Sequence, residues 1–93
     1  MNGSKRKGTR AEHRSRRLLE AAGFSVTRAA GSLGEFDLVG VNGSCFVLVQ
    51  VKCNRPPGPL ERGALADFRC PANCQKLVHV WRDRQRQPDV IEL

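Results

Sequence analysis

Apolar residues along this chain follow two different periods. At about 100° per residue, Ala11, Ser15, Leu18 and Ala22 fall on one narrow side, while Arg10, Arg14 and Arg17 line up opposite them. The pattern predicts a helix that is apolar within and cationic without. Thr9-Arg10-Ala11-Glu12 matches a capping box and places the helix start at Thr9. Gly23 is a stop signal, and Phe24 is placed to fold back on the last turn. The polar, basic stretch MNGSKRKG is expected to be a flexible tail (residues 1–8) ahead of a single domain (residues 9–93).

After Gly23 the pattern turns extended. Phe24 to Arg28 reads as a strand and Gly31-Ser32-Leu33-Gly34 as a flexible loop. Phe36 to Val41 and Cys45 to Cys53 are β-branched, apolar runs around Asn42-Gly43, a strong hairpin signal. Asn54-Arg55-Pro56-Pro57-Gly58-Pro59 breaks the sheet. Leu60 to Phe68 suits a short helix, Lys76 to Arg82 another strand, and Val90 to Leu93 a last short strand after the polar turn Asp83 to Pro88. The order αβββαβ with a terminal strand predicts an α/β fold of the α+β kind, a central mixed sheet flanked by helices.

The hairpin register decides which side chains meet. With a two-residue loop at Asn42-Gly43, Asp37 lies opposite Leu48 and Glu35 opposite Gln50. A four-residue loop sets Asp37 opposite Gln50. Either register puts Asp37, Leu48, Gln50 and Lys52 on one face. An acid, an amide and an amine then converge at the end of two paired strands, within the roughly 5–8 Å of direct and diagonal neighbours. A lysine in the run Val47-Leu48-Val49-Gln50-Val51-Lys52 is unexpected if the sheet is covered on both faces, because a buried ammonium needs a partner. The alternative is an edge strand with Gln50 and Lys52 facing water.

Charge narrows the partners. Sixteen Lys and Arg against nine Asp and Glu give a net charge of +7 in 93 residues, with a pI near 10.1. A chain this small and this basic favours a polyanion, nucleic acid first. Lys5, Arg6 and Lys7 beside the arginine stripe form a candidate phosphate-contact surface; a simple solvated face gives the same pattern. No apolar run approaches the roughly 20 residues of a membrane span, and Met1 to Thr9 lacks the apolar centre of a signal peptide. The expectation is a soluble, cytoplasmic protein, chromosomal or virus-encoded, with no membrane partner.

Four cysteines, Cys45, Cys53, Cys70 and Cys74, raise the question of zinc. Cys45 and Cys53 are roughly 26 Å apart if they share one strand, too far for a common ion. Cys70 and Cys74 have a spacing fit for half a site or a disulfide. Ordinary reduced cysteines are the expectation.

The sequence resembles the PD-(D/E)XK nuclease superfamily, and within it the small archaeal and phage-type Holliday junction resolvases. The likeness is carried by Arg6-Lys7-Gly8 and Ala11-Glu12 at the helix start, Gly23-Phe24 at its end and Arg28-Ala29-Ala30-Gly31-Ser32 in the loop. It continues through Phe36-Asp37-Leu38-Val39 and Gln50-Val51-Lys52, and more loosely through Leu65 to Phe68 and Leu77 to Trp81.

The resemblance implies a restriction-endonuclease-like core and a Mg²⁺ cofactor, with Mn²⁺ able to substitute. It implies that Asp37 is the central metal ligand and that Glu12 adds a carboxylate through water or a second ion, although Glu12 equally fits the capping box. Lys52 would orient the nucleophile and offset charge on the transition state. Ser32 and Arg28 would lie near the scissile phosphate, or be ordinary loop and strand residues. Gln50 and His13 depart from the pattern, which usually has Glu and Arg there. An amide oxygen can bind Mg²⁺ without charge, and Mrr-like restriction enzymes also use a QXK element. Gln50→Glu is therefore expected to maintain or raise activity at low Mg²⁺, and Glu35 is the expected source of the missing charge on the metal face.

The leading expectation is a homodimeric, metal-dependent endonuclease that resolves four-way (Holliday) DNA junctions by paired nicks. Leu65, Phe68 and Trp81 are candidate dimer contacts or plain core. The alternatives are a DNA-binding module on a degenerate nuclease fold, and a restriction- or repair-type nickase acting on linear duplex.

Overall fold

The structure is a computed structural model that describes residues 2–93, with side chains from residue 8 onward. Lys5, Arg6 and Lys7 therefore lie outside the described side chains. The order is α1 (Asn2–Ala21), β1 (Ser25–Arg28), β2 (Leu38–Val41), β3 (Phe46–Cys53), α2 (Pro59–Asp67), β4 (Cys74–Trp81) and β5 (Asp89–Glu92). The five strands form one sheet in chain order. Only β3 and β4 pair in parallel, because α2 carries the chain back across the sheet between them. This is the expected mixed sheet with helices, and the strand boundaries shift by one or two residues.

Two expectations about α1 are corrected. It begins at Asn2, so Thr9 and Glu12 are interior helix positions, away from the first-turn amides that a capping box serves. Lys5, Arg6 and Lys7 are good helix formers, and the helix continues through Gly3 and Gly8 despite their low propensity. The buried stripe is Ala11, Ser15 and Leu19, spaced i, i+4, i+8; Leu18 is half-buried and Ala22 exposed.

Ser15 belongs inside because its hydroxyl is fully used. Trp81 Nε1 donates to Ser15 Oγ at 2.7 Å, and Oγ lies 2.9 Å from His79 Nδ1. Indole is only a donor, so Ser15 Oγ accepts from Trp81 and its own proton is free to go to Nδ1, an arrangement that suits the Nε2–H tautomer of His79. Arg14 lies over the Trp81 ring, 4.1 Å from its centre, and donates to the carbonyls of Gln85 and Arg86. One turn of α1 is thus bound to β4 and to the loop after it.

The helix ends as Gly23 predicts. With φ at +99°, Gly23 donates to Glu20 O and Phe24 donates to Leu19 O, the two bonds of a Schellman motif. Phe24 then packs on the core of Leu19, Val26, Leu38, Val47 and Val49 beneath α1. Gly40 makes the room: a Cβ there would lie 2.8 Å from Val47 Cγ1 and 3.2 Å from Phe24 Cβ. The opposite face holds Phe36, Leu48, Leu65, Val78 and Val80, with the Phe68 ring edge-on to Phe36 at 5.5 Å. Leu65 and Trp81 are therefore core residues of the single chain.

Gly40→Ala is expected to lower stability by about 1–3 kcal/mol through overpacking, read as a shifted urea midpoint with an unchanged slope. His79 gives a second expectation. Burial pushes its pKa below the ordinary 6.5, so between that depressed value and 6.5 the unfolded chain binds more protons than the folded one. The stabilisation is complete above 6.5 and is lost as pH falls from 6.5 toward the depressed value. Thermal unfolding between about pH 7.5 and 5.5 should show this loss, and His79→Gln should flatten it.

Candidate active site

The hairpin loop contains four residues, since Val41 pairs with Phe46 and Leu38 with Val49. Asn42 directs it: its Oδ1 accepts from the amides of both Ser44 and Cys45 at 2.8 Å. That Asx turn replaces the two-residue turn that Asn-Gly suggested. Glu35 is consequently not the residue opposite Gln50, and that expected position is corrected; it lies near enough to Asp37 to act on its carboxyl. Glu35 is an exposed loop residue.

β2 stops at Leu38, whereas β3 continues to Cys53. Asp37 fills the vacated ladder position. Its amide donates to Val49 O, its carbonyl accepts from Ala29, and its Oδ2 accepts from the Val51 amide at 2.7 Å. The carboxylate therefore lies along the edge of β3, in the plane of the sheet, and does not stand up on the Gln50 face as the strand pattern predicted. Burial raises the Asp37 pKa; the Val51 amide opposes this, Glu12 and Glu35 raise it further, and Arg28 lowers it. Three acids thus share one neighbourhood with one guanidinium.

Glu12 reaches this place from α1. It is only partly exposed and is paired with Arg28 Nε at 3.1 Å. The two residues also line a cavity of about 40 Å³ with Thr9, His13, Arg16 and Leu38. Ser32 is exposed in the loop between β1 and β2, its amide bonded to Ala29 O.

Gln50 and Lys52 do share a face, the one covered by α2. Gln50 is buried, at 4% exposure, and its Nε2 donates to Glu61 Oε2 at 2.9 Å. Lys52 Nζ donates to the same carboxylate at 3.3 and 3.4 Å. Burial alone would raise the Glu61 pKa, but the bonds from Gln50 and Lys52 outweigh it and hold the carboxyl below its ordinary value. Gln50 Oε1 is buried with no hydrogen-bond partner. Such an oxygen costs about 1–3 kcal/mol unless something binds it. It suits a hard cation, which takes oxygen ligands including side-chain amides. Among the described residues, no three His, Cys, Asp or Glu side chains are grouped to hold a metal ion. A divalent ion here would need Gln50 Oε1 beside Asp37, with Glu12 the next acid available.

The cationic surface is wider than the helix. Arg10 and Arg17 are exposed, and Arg10 and Arg14 line a recess of about 150 Å³ with Trp81, Arg82 and Arg84. The arginines of the loop after β4 went unread in the sequence, where they looked like an ordinary polar turn. Cys70 and Cys74 come together as their spacing allowed, and Cys45 stands near them. Burial first, then Cys70, push the Cys74 thiol up to about 11, so it is a protonated thiol at neutral pH. None of Cys45, Cys53, Cys70 and Cys74 is in a disulfide.

A solved structure of Archaeoglobus fulgidus Hjc, a Holliday junction resolvase from an archaeal hyperthermophile, matches with a TM-score of 0.67. The match covers 92% of this chain and 84% of that one at 23% identity, a likeness of fold. The model of the archaeal Holliday junction resolvase family matches residues 3–59, a segment that contains Glu12, Asp37, Gln50 and Lys52. More than half of the chain is matched in this way, and the chain belongs to the archaeal Holliday junction resolvase (Hjc) family.

Proposed function

We infer that this protein is a Mg²⁺-dependent endonuclease acting on four-way DNA junctions as a homodimer, with Asp37, Gln50 and Lys52 at its centre. Membership of a resolvase family supports the substrate class. The observation that carries the chemistry is the Asp37 carboxylate at the edge of β3, one residue from the unpartnered oxygen of Gln50 and the ammonium of Lys52.

In hydrolysis, a water oxygen forms a new bond to phosphorus and gives a proton to solvent, while the bond to one sugar oxygen breaks and that oxygen takes up a proton from solvent. Asp37 and Gln50 Oε1 would hold Mg²⁺, with Glu12 contributing directly or through water. The bound ion neutralises the phosphate and acidifies the water. Lys52, about 29% exposed, is open enough to face a phosphate while Glu61 fixes its position. Its ammonium offsets the negative charge that grows on the phosphate oxygens. Arg28, 71% exposed beside Glu12, is placed to meet a backbone phosphate.

Arg10, Arg14, Arg17, Arg82 and Arg84 give the broader surface for the duplex arms, with Lys5, Arg6 and Lys7 proposed from sequence alone. Two copies related by a two-fold axis suit a substrate of the same symmetry. The apolar recess of about 210 Å³ lined by Leu33, Val39, Phe46, Leu48 and Phe68 is a surface such a dimer would cover.

Asp37→Ala is expected to lower Mg²⁺-dependent junction cleavage at least about 100-fold. Junction affinity in a gel-shift assay should stay within about threefold, because phosphate contacts dominate binding. Wild-type affinity should itself fall on the order of 10³-fold between 50 and 200 mM salt if the arginine surface engages several phosphates. Labelled junction and linear duplex, compared in parallel, test the substrate. Cuts confined to duplex, or tight junction binding with no cuts in Mg²⁺ or Mn²⁺, would overturn the reading.

A further inference from the structure

Glu61 lies two residues beyond the stretch matched by the family model, on α2, and no sequence motif marks it. Yet it is the residue that touches both Gln50 and Lys52. The resemblance expects a carboxylate at position 50, and this chain has an amide. A carboxylate nevertheless stands 2.9 Å away, on the next element.

The amide has two ends and only one orientation that works. Turned as found, Nε2 donates to the Glu61 anion and Oε1 is left buried without a partner. Turned the other way, an oxygen would face the carboxylate and a buried N–H₂ would be stranded. Glu61 therefore selects the orientation that presents oxygen on the side away from itself. The same anion holds the Lys52 ammonium on the Gln50 face of β3.

We propose that Glu61 is a positioning residue of the nuclease centre, supplying from α2 the negative charge that Gln50 lacks and fixing the Gln50 amide with Oε1 free for the cation. This rests on the metal-dependent reading above. It also reverses the expectation for Gln50→Glu. With Glu61 in place, that substitution sets two carboxylates against each other, and they must share a proton or separate.

A plain structural role for Glu61 is the rival. It occupies the third helical position after the N-cap Gly58, where Glu and Gln both serve a helix start. Glu61→Gln thus keeps the helix start and can still accept from Gln50 Nε2, removing only the charge. The test is titration calorimetry with Mg²⁺ alone on the full-length protein, with thermal unfolding as the control for folding. Glu61→Gln should weaken Mg²⁺ binding about 10-fold or more while its Tm stays close to wild type. The exchange Gln50→Glu/Glu61→Gln restores one acid and one amide with the hydrogen bond reversed. It should recover wild-type Mg²⁺ affinity or better, and exceed both single variants. Unchanged affinity in Glu61→Gln, or an exchange variant no better than Glu61→Gln, would overturn the proposal and leave the metal-dependent reading standing. No Mg²⁺ uptake by the wild type would instead remove that reading, and this proposal with it.

Discussion

The hydrogen bond from the Val51 amide to the Asp37 carboxylate organises the catalytic edge. β2 ends before β3 does, so the outer edge of β3 is left with a backbone donor that a longer strand would have paired. A side-chain oxygen takes that donor. An unpaired amide at this depth would be costly, and the bond therefore serves stability and siting together. The carboxylate lies along the edge of β3, with Glu12, Glu35 and Arg28 near enough to act on it. Glu12 approaches from α1, while Gln50 and Lys52 point toward α2. Had Asp37 stood on a face, one helix or the other would have been screened from it by the sheet.

The two helices are fixed by different means, which matters for the site. α1 is bound by packing and by the Ser15 hydroxyl shared between His79 and Trp81, with Arg14 covering the indole. That places Glu12 on a rigid support. α2 buries Leu65 alone among its own residues and gains the ties from Glu61 to Gln50 and Lys52. Its seat on the sheet thus depends partly on charges that belong to the site. A phosphate near Lys52 would compete for the same ammonium, so binding of DNA and seating of α2 are electrostatically linked.

Much of this was legible in the sequence because it is local. Alternation identified every strand, and a Gly before a Phe identified the α1 terminus. Alternation along β3 placed Gln50 and Lys52 on one face whatever the hairpin loop, whereas the register argument that added Asp37 to that face failed because β2 ends before it. What failed were choices between two local signals of similar strength. Asn42-Gly43 supports a two-residue turn, but the Asn42 side chain can instead close an Asx turn, and only the packing of Phe24 against Gly40 and Val47 selects the register. Thr9 and Glu12 fit a cap and fit a helix interior equally well. Glu61 was invisible for another reason: it meets Gln50 only after the crossover helix has been laid on the sheet. No period within the chain encodes that meeting.

The distribution of charge then acquires a physical sense. The chain carries a net +7, yet three of its nine acids, Glu12, Glu35 and Asp37, share one neighbourhood, and a fourth, Glu61, stands beside Gln50 and Lys52 on the α2 face. Arginines on α1 and after β4 would supply the positive field for DNA, while Arg28 and Lys52 are the cations paired with Glu12 and Glu61. Without such cations the acids would repel a phosphate as well as one another. With them, part of that repulsion is offset by the Arg28–Glu12 and Lys52–Glu61 pairs. If Glu61 supplies the charge that Gln50 lacks, the acid of the centre is carried on α2, and the geometry of the site depends on where α2 sits.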